Sequence, residues 1–126
     1  MSIVPAHKQD FESCKRLALA RDEEVIARIR ELLRWLQDMN WPVADHVVQR
    51  IRTIGTPLVA PVKEILAGPD DIWKYWVINS LLPGAERQVI ESLRPSLERI
   101  VSAPTAGEIA EDVVEGAAHL LAAAKQ

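Results

Sequence analysis

The chain is poor in the residues that several classes of function require. Its one cysteine, Cys14, excludes an internal disulfide and fits a reducing, cytoplasmic compartment. The three histidines, His7, His46 and His119, fall on separate segments and lack the paired spacing of metal ligands. The five glycines are scattered, so no phosphate-binding loop is expected. We therefore expect no cofactor and no metal, and we expect a protein that is not an enzyme.

Charge of one sign and long hydrophobic runs are also scarce. The formal net charge of −3 argues against a protein whose partner is nucleic acid. No window approaches the roughly 18 uninterrupted apolar residues of a membrane span, and the first residues do not follow the signal-peptide pattern. A length of 126 residues with 48% hydrophobic composition predicts a single cytoplasmic domain over residues 1–126.

What the sequence does contain is helical periodicity throughout, with no alternating pattern that requires a strand. The predicted helices cover residues 10–19, 24–37, 42–54, 57–67, 70–82, 86–102 and 105–123. Short connections with glycine or proline favour antiparallel neighbours. After a short N-terminal helix, the helices should therefore pair as three hairpins, at about residues 22–54, 57–83 and 85–123.

Two segments of the chain repeat each other. "LRWLQDMNWPVADHVV" and "EILAGPDDIWKYWVIN" match Asp38 with Asp70 and Trp41 with Trp73, both 32 residues apart. Each segment reads as the end of one helix, an acidic turn and the start of a second helix. This pattern is typical of helical-hairpin repeats, which bury a continuous core when about three units stack.

The second of these segments resembles a HEAT repeat. "LVAPVKEILAGPDDIWKYWVI" has a proline in its first helix (Pro61), an acidic turn (Asp70), and an apolar residue followed by a basic one (Ile72 to Lys74). A closer resemblance covers nearly the whole chain: "ELLRWLQDMNWPVA" and "DDIWKYWVINSLLP" are similar to the signature blocks of a bacterial domain family of unknown function. The resemblances imply an all-α, HEAT-like right-handed α–α superhelix, and they imply no particular activity.

The segment Asp70–Pro83 contains two of the four tryptophans and the one tyrosine. The second helix of a middle hairpin contacts the hairpins on both sides, so it should be apolar nearly all round. We therefore predict that Ile72 and Trp76 belong to the buried face. Asn79 is an amide within this apolar helix, and we expect it to set the helix register through a hydrogen bond, with ligand binding as the alternative.

Trp41 and Trp73 both begin a helix beside an acidic turn, which would let them stack along one edge. Two interpretations stay open. Each indole could close the end of its hairpin, with its N–H on a turn carbonyl or on an aspartate. Alternatively the pair forms an aromatic ridge that binds a peptide or partner protein. The candidate partner-binding residues of that ridge are Asp38, Asn40, Trp41, Asp71, Trp73 and Lys74.

The expected function is that of a non-enzymatic protein-interaction module, more specifically an immunity-type antitoxin or a regulatory subunit. A self-associating scaffold is the first alternative, in which a homodimer buries the Trp41 and Trp73 edge. An enzyme is the second, because some HEAT-like solenoids are DNA glycosylases that use tryptophans and an aspartate on a basic surface. Asp45 is a candidate for that aspartate, and the first hairpin is rich in arginine: Arg28, Arg30, Arg34, Arg50 and Arg52.

The last predicted helix is acidic and begins with the capping-box pattern Thr105-x-x-Glu108, with Ile109 expected to face inward. Its carboxylates are interpreted as the solvated outer face of a terminal repeat, with a basic partner as the alternative reading. They are Glu108, Glu111, Asp112 and Glu115.

Overall fold

A computed structural model describes residues 1–124, and this range consists of helices and short connections without any strand. The all-α prediction is therefore confirmed for the described residues. The α-helices are α1 Phe11–Leu19, α2 Asp22–Ala27, α3 Ile29–Leu33, α4 Ala44–Ile51, α5 Val59–Ala67, α6 Asp71–Trp76, α7 Arg87–Ser102, α8 Ala106–Ala110 and α9 Val113–Ala124. Short 3₁₀ turns span Arg34–Gln37, Arg52–Ile54, Thr56–Leu58 and Leu82–Gly84, and a π-helical turn spans Val77–Leu81.

Two of the predicted long helices are each interrupted. The first breaks at Arg28 (φ −118°, ψ 18°) and ends as the 3₁₀ turn Arg34–Gln37, so the prediction of one helix over 24–37 is wrong. The last breaks at Asp112, whose φ of 59° is left-handed, so residues 105–123 form α8 and α9 instead of one helix. Val25 and Ile29 are buried on either side of the first break, so the apolar pattern continues through it and gives no signal of the interruption.

The buried apolar side chains form one cluster that runs from Leu17 in α1 to Leu120 in α9. Helix α9 packs along α7, and α5 packs on α7 as well. Helix α6 contacts both the 3₁₀ turn Arg34–Gln37 and α9, which is the position between neighbours that the sequence predicts for this helix. Within residues 1–124 no helix has both the length and the apolar character to cross a membrane.

The burial of Trp76 and Ile72 was predicted wrongly. Trp76 is half-buried and stands edge-on against Tyr75, with ring centroids 5.0 Å apart, and Ile72 is 50% exposed. The buried apolar residues of this segment are instead Val77, Ile78 and Leu81 in the π-helical turn, with Leu82 directly after it. Ile72 and Trp76 are four residues apart and share one face of α6, and that face lies outside the core cluster.

Asn79 bonds within its own helical segment. It is exposed, and its side-chain amide donates to the Tyr75 carbonyl oxygen at 2.9 Å. This hydrogen bond joins two residues of one helical segment, so it does not set the register of that segment against a neighbouring helix, as was predicted. Asn79 still marks the contact with α9, because a Cβ on Gly116 would lie 2.8 Å from the Asn79 Oδ1 atom. Glycine at that position lets the two segments approach closely.

Candidate functional site

The first group of predicted binding residues forms a local turn before α4. The Asp38 carboxylate accepts the Asn40 backbone N–H at 2.8 Å, a hydrogen bond typical of an Asx turn. The Trp41 ring packs edge-on against Trp35, with centroids 5.3 Å apart and an interplanar angle of 77°. Among the residues that the structure describes, Trp41 makes no ring contact with Trp73, so the two do not stack as one aromatic ridge.

Trp73 connects α6 to α3. Its backbone N–H donates to the Asp70 carboxylate at 3.0 Å, which makes Asp70 the N-cap of α6 as its position suggests. Its indole Nε1–H donates to the Leu33 carbonyl oxygen at 3.0 Å. The hairpin-closing interpretation expected this N–H on a turn carbonyl or on an aspartate of the same hairpin. The acceptor is instead a helix carbonyl of the preceding hairpin, and the Trp73 side chain is half-buried.

The position of Lys74 contradicts the predicted binding surface most directly. Its side chain is buried, with 3% of the residue exposed, and its ammonium lies 2.9 Å from Glu108 Oε2 and 3.0 Å from Asp71 Oδ1. The expectation of an exposed Lys74 beside Trp73 is wrong, and Asp71 is engaged with Lys74. Lysine side chains are usually exposed to solvent, so the sequence pattern predicts an exposed Lys74. The sequence also gives no sign that its partner Glu108 lies 34 residues further along the chain.

Glu108 is the buried centre of an ion cluster that joins α6, α7 and α8. Besides Lys74, the carboxylate accepts two N–H groups of Arg99 at 2.6 and 2.7 Å and the Thr105 backbone N–H at 2.8 Å. The last bond, with the Glu108 N–H to Thr105 Oγ1 bond of 3.1 Å, confirms the capping box. Arg99 also donates to the Leu66 carbonyl oxygen of α5 at 3.2 Å. The cluster therefore holds four helices together.

The acidic end of the chain is only partly a solvated face. Glu111, Asp112 and Glu115 are exposed as predicted, but Glu108 is fully buried. Ile109, which was expected to face inward, is 59% exposed. The capping box explains why Glu108 is buried and Ile109 is exposed, because it fixes Glu108 at the third helical position with its carboxylate folded back toward Thr105.

The Glu108 cluster predicts a specific acid sensitivity. Its bonds to Arg99 lower the pKa of Glu108 from 4.5 to about 2, so the folded state gains stability that is complete above about pH 4.5 and is lost as the pH falls toward 2. Thermal unfolding midpoints of the wild type and Glu108→Gln should therefore differ most near neutral pH and converge below pH 4.5. Asp10 also has a pKa of about 2, because of its hydrogen bonds with Ser13. It is present in both proteins, so its contribution to the pH dependence cancels in the comparison. A difference that stays constant to pH 2 would contradict the assignment.

A cleft of about 350 Å³ opens beside Trp73, between α3 with its 3₁₀ turn and α5 with the start of α6. Its apolar lining comes from Leu33, Pro61 and Ile65, which are buried, together with the Trp73 ring. The rim carries polar side chains, namely Arg30, Arg34, Gln37, Glu64 and Asp70. This combination of an apolar lining with a few polar groups at the edge is typical of binding pockets, and the volume lies at the lower end of their range.

The arginines of the first hairpin separate into engaged and unengaged side chains. Four of the five donate to a carboxylate or carbonyl: the acceptors are Glu31 for Arg28, Glu64 for Arg30, Asp22 for Arg50 and the Ser80 carbonyl for Arg52. Arg34 is exposed at the cleft and makes no hydrogen bond or ion pair with any of residues 1–124. It acts on Glu31 through space only, as a minor contribution to the lowered pKa of that carboxyl, whose main cause is the hydrogen bond from Arg28.

Sequence reasoning found part of this cleft and missed the rest. Trp73, one of the predicted binding residues, lines the cleft, and Arg34 was noticed only as one of several basic residues. Gln37 and Glu64 were missed, and the one sequence signal for the rim is the four-residue spacing from Arg30 to Arg34. Asp45, the aspartate considered for glycosylase chemistry, lies outside the cleft lining and accepts a hydrogen bond from Gln49 at 2.8 Å.

The described helices form a small all-α domain, and Trp73 is the one tryptophan among the lining residues of this cleft. Residues 3–121 match the profile of a family described as a domain of unknown function (DUF5071), and the chain belongs to that family. No curated protein matches the chain. Because the family description assigns no activity, the role of the cleft has to be argued from its residues.

Proposed function

We propose that this protein is a non-enzymatic interaction module that binds a partner protein at the cleft beside Trp73. The observation that carries the proposal is Arg34, which lies at the cleft without an acceptor among residues 1–124 while the other four arginines of the first hairpin are engaged. Tryptophan and arginine around an apolar pocket are the residues that most often carry binding energy in protein interfaces.

The proposed binding surface differs from the six-residue ridge expected from the sequence. Trp73 stays in it, Arg34 replaces Lys74, and the turn at Asp38, Asn40 and Trp41 is left out because it is not part of the cleft lining. We further propose that the hairpins stack as HEAT repeats do, because α6 contacts elements on both sides. An immunity-type antitoxin or a cytoplasmic regulatory subunit is the biological role that suits such a module.

Capture of the partner by matched variants tests the proposal. Tagged wild type, Arg34→Glu and Arg21→Glu would be used to isolate partners from cells of the native source, after thermal melting has shown that all three fold alike. Arg21 is an exposed arginine outside the cleft lining, so it controls for the change in net charge. We expect a protein that the wild type and Arg21→Glu retain and Arg34→Glu loses, and that binds again when purified.

One result would reject the proposed site, and another would replace the proposed partner by a second copy of the chain. Equal retention of the same partner by Arg34→Glu would show that binding uses another surface. Retention of only further copies of the chain, lost in Arg34→Glu, would instead support the self-associating scaffold.

A further inference from the structure

We infer that the cleft takes an acidic side chain of the partner protein, carried next to a large apolar side chain. This inference rests on the proposed function, because it specifies the chemistry of the segment that the cleft binds. It follows from the distribution of charge at the rim and from the apolar lining beneath it.

The charges at the rim are not equivalent. Arg30 and Glu64 form an ion pair across the cleft, from α3 to α5. The Asp70 carboxylate is held as the N-cap of α6 by the Trp73 backbone N–H. Arg34 is then the charged side chain at the rim that has no acceptor among residues 1–124. A guanidinium binds a carboxylate through two parallel N–H···O bonds, so a ligand carboxylate at the Arg34 side of the cleft satisfies it.

The lining beneath the rim suits an apolar side chain. Leu33 and Ile65 are buried around the cleft, and Trp73 is fixed in orientation by its indole bond to the Leu33 carbonyl oxygen. A volume of about 350 Å³ holds a few side-chain groups and lies at the lower end of the range of ligand sites. A small metabolite needs several convergent polar groups to fix its orientation, whereas one charged anchor beside an apolar pocket is the usual arrangement of a protein interface.

Glu64 has a predictable effect on such a ligand. Its carboxylate neutralises Arg30 and would repel a second carboxylate bound at Arg34. Glu64→Gln removes that repulsion and leaves Arg30 available to the ligand, so it should tighten binding. Arg34→Gln removes the anchor and should weaken it. The two substitutions therefore act in opposite directions on the same ligand, which a general loss of stability cannot reproduce.

The test selects peptides from a displayed library of random linear sequences on the folded, full-length protein. The enriched peptides should carry Asp or Glu next to a large apolar residue. Affinities of the best peptide and of its Asp→Asn or Glu→Gln version would be measured by fluorescence polarisation. We expect Arg34→Gln to weaken the acidic peptide about tenfold or more, as loss of a charged hydrogen bond does. Glu64→Gln should tighten it several-fold, and Arg21→Gln, outside the cleft, should leave it unchanged.

The possible failures separate the inference from the proposed function. In one failure, a peptide shifts the Trp73 indole resonance and binds Arg34→Gln more weakly than the wild type, but its neutral version binds as tightly as the acidic one. That result would overturn the acidic anchor and leave the cleft as a binding site. Tightening of a basic peptide by Arg34→Gln would also overturn it. Selected peptides that leave the Trp73 resonance unchanged and bind Arg34→Gln normally would overturn both the anchor and the cleft.

Discussion

Replacing Glu108 by alanine should lower the free energy of unfolding by about 3–5 kcal/mol, the cost of removing one partner from a buried ion pair. Lys74, 3% exposed, would keep only Asp71, and Arg99 would lose both of its bonds to the carboxylate. The capping box at Thr105 would be lost as well. Urea unfolding monitored by tryptophan fluorescence measures this change.

Three further variants, Glu111→Ala, Lys74→Met and the double variant Lys74→Met/Glu108→Ala, show whether the cost arises from the buried charges. Glu111→Ala removes a neighbouring exposed carboxylate and should stay within about 0.5 kcal/mol of the wild type. Lys74→Met combined with Glu108→Ala should be less destabilising than the sum of the two single changes, because the second change removes an uncompensated charge. Strict additivity, or a cost of Glu108→Ala below about 1 kcal/mol, would show that the cluster is not a stabilising element.

The second large effect is expected at Leu81. This side chain is fully buried in the π-helical turn, so Leu81→Ala should cost about 2–5 kcal/mol through the lost apolar contacts and the cavity left behind. Trp76→Ala should cost less, about 1–2 kcal/mol, although a tryptophan is the larger side chain, because Trp76 is half-buried and outside the core cluster. The same urea titrations decide the comparison. A larger loss for Trp76→Ala than for Leu81→Ala would place Trp76 in the core after all.

The fold could be predicted from the sequence where local interactions decide it. The Thr105–Glu108 capping box follows from residues within one helical turn, and it is confirmed. Val47, Val48 and Ile51 lie on one helical face by spacing alone, and all three are buried. The break at Arg28 and the π turn at Val77–Leu81 were missed, because neither disturbs the hydrophobic pattern that identifies a helix.

The candidate site depended on contacts that the sequence does not encode locally. Lys74 was misplaced because its acceptor Glu108 is 34 residues away. Arg34 differs from the other arginines of the first hairpin because each of those donates to an acceptor in the tertiary structure, as Arg30 does to Glu64. The sequence alone does not show this difference. Trp41 and Trp73 occupy the same position in the two repeated segments. In the structure, however, the Trp41 ring packs against Trp35, whereas the Trp73 indole donates to the Leu33 carbonyl oxygen. Position in a repeat does not determine which side chains meet.

The central claim is that a partner binds at the cleft beside Trp73. One nitrogen–proton correlation spectrum is sufficient to test this claim, because each tryptophan contributes one indole N–H resonance. The four tryptophans are Trp35, Trp41, Trp73 and Trp76. On addition of the purified partner, the Trp73 resonance should shift, and it should not shift in the Arg34→Glu variant. The Trp76 resonance, from outside the cleft lining, should stay in place. A partner that moves Trp76 or Trp41 and leaves Trp73 unchanged would contradict the claim.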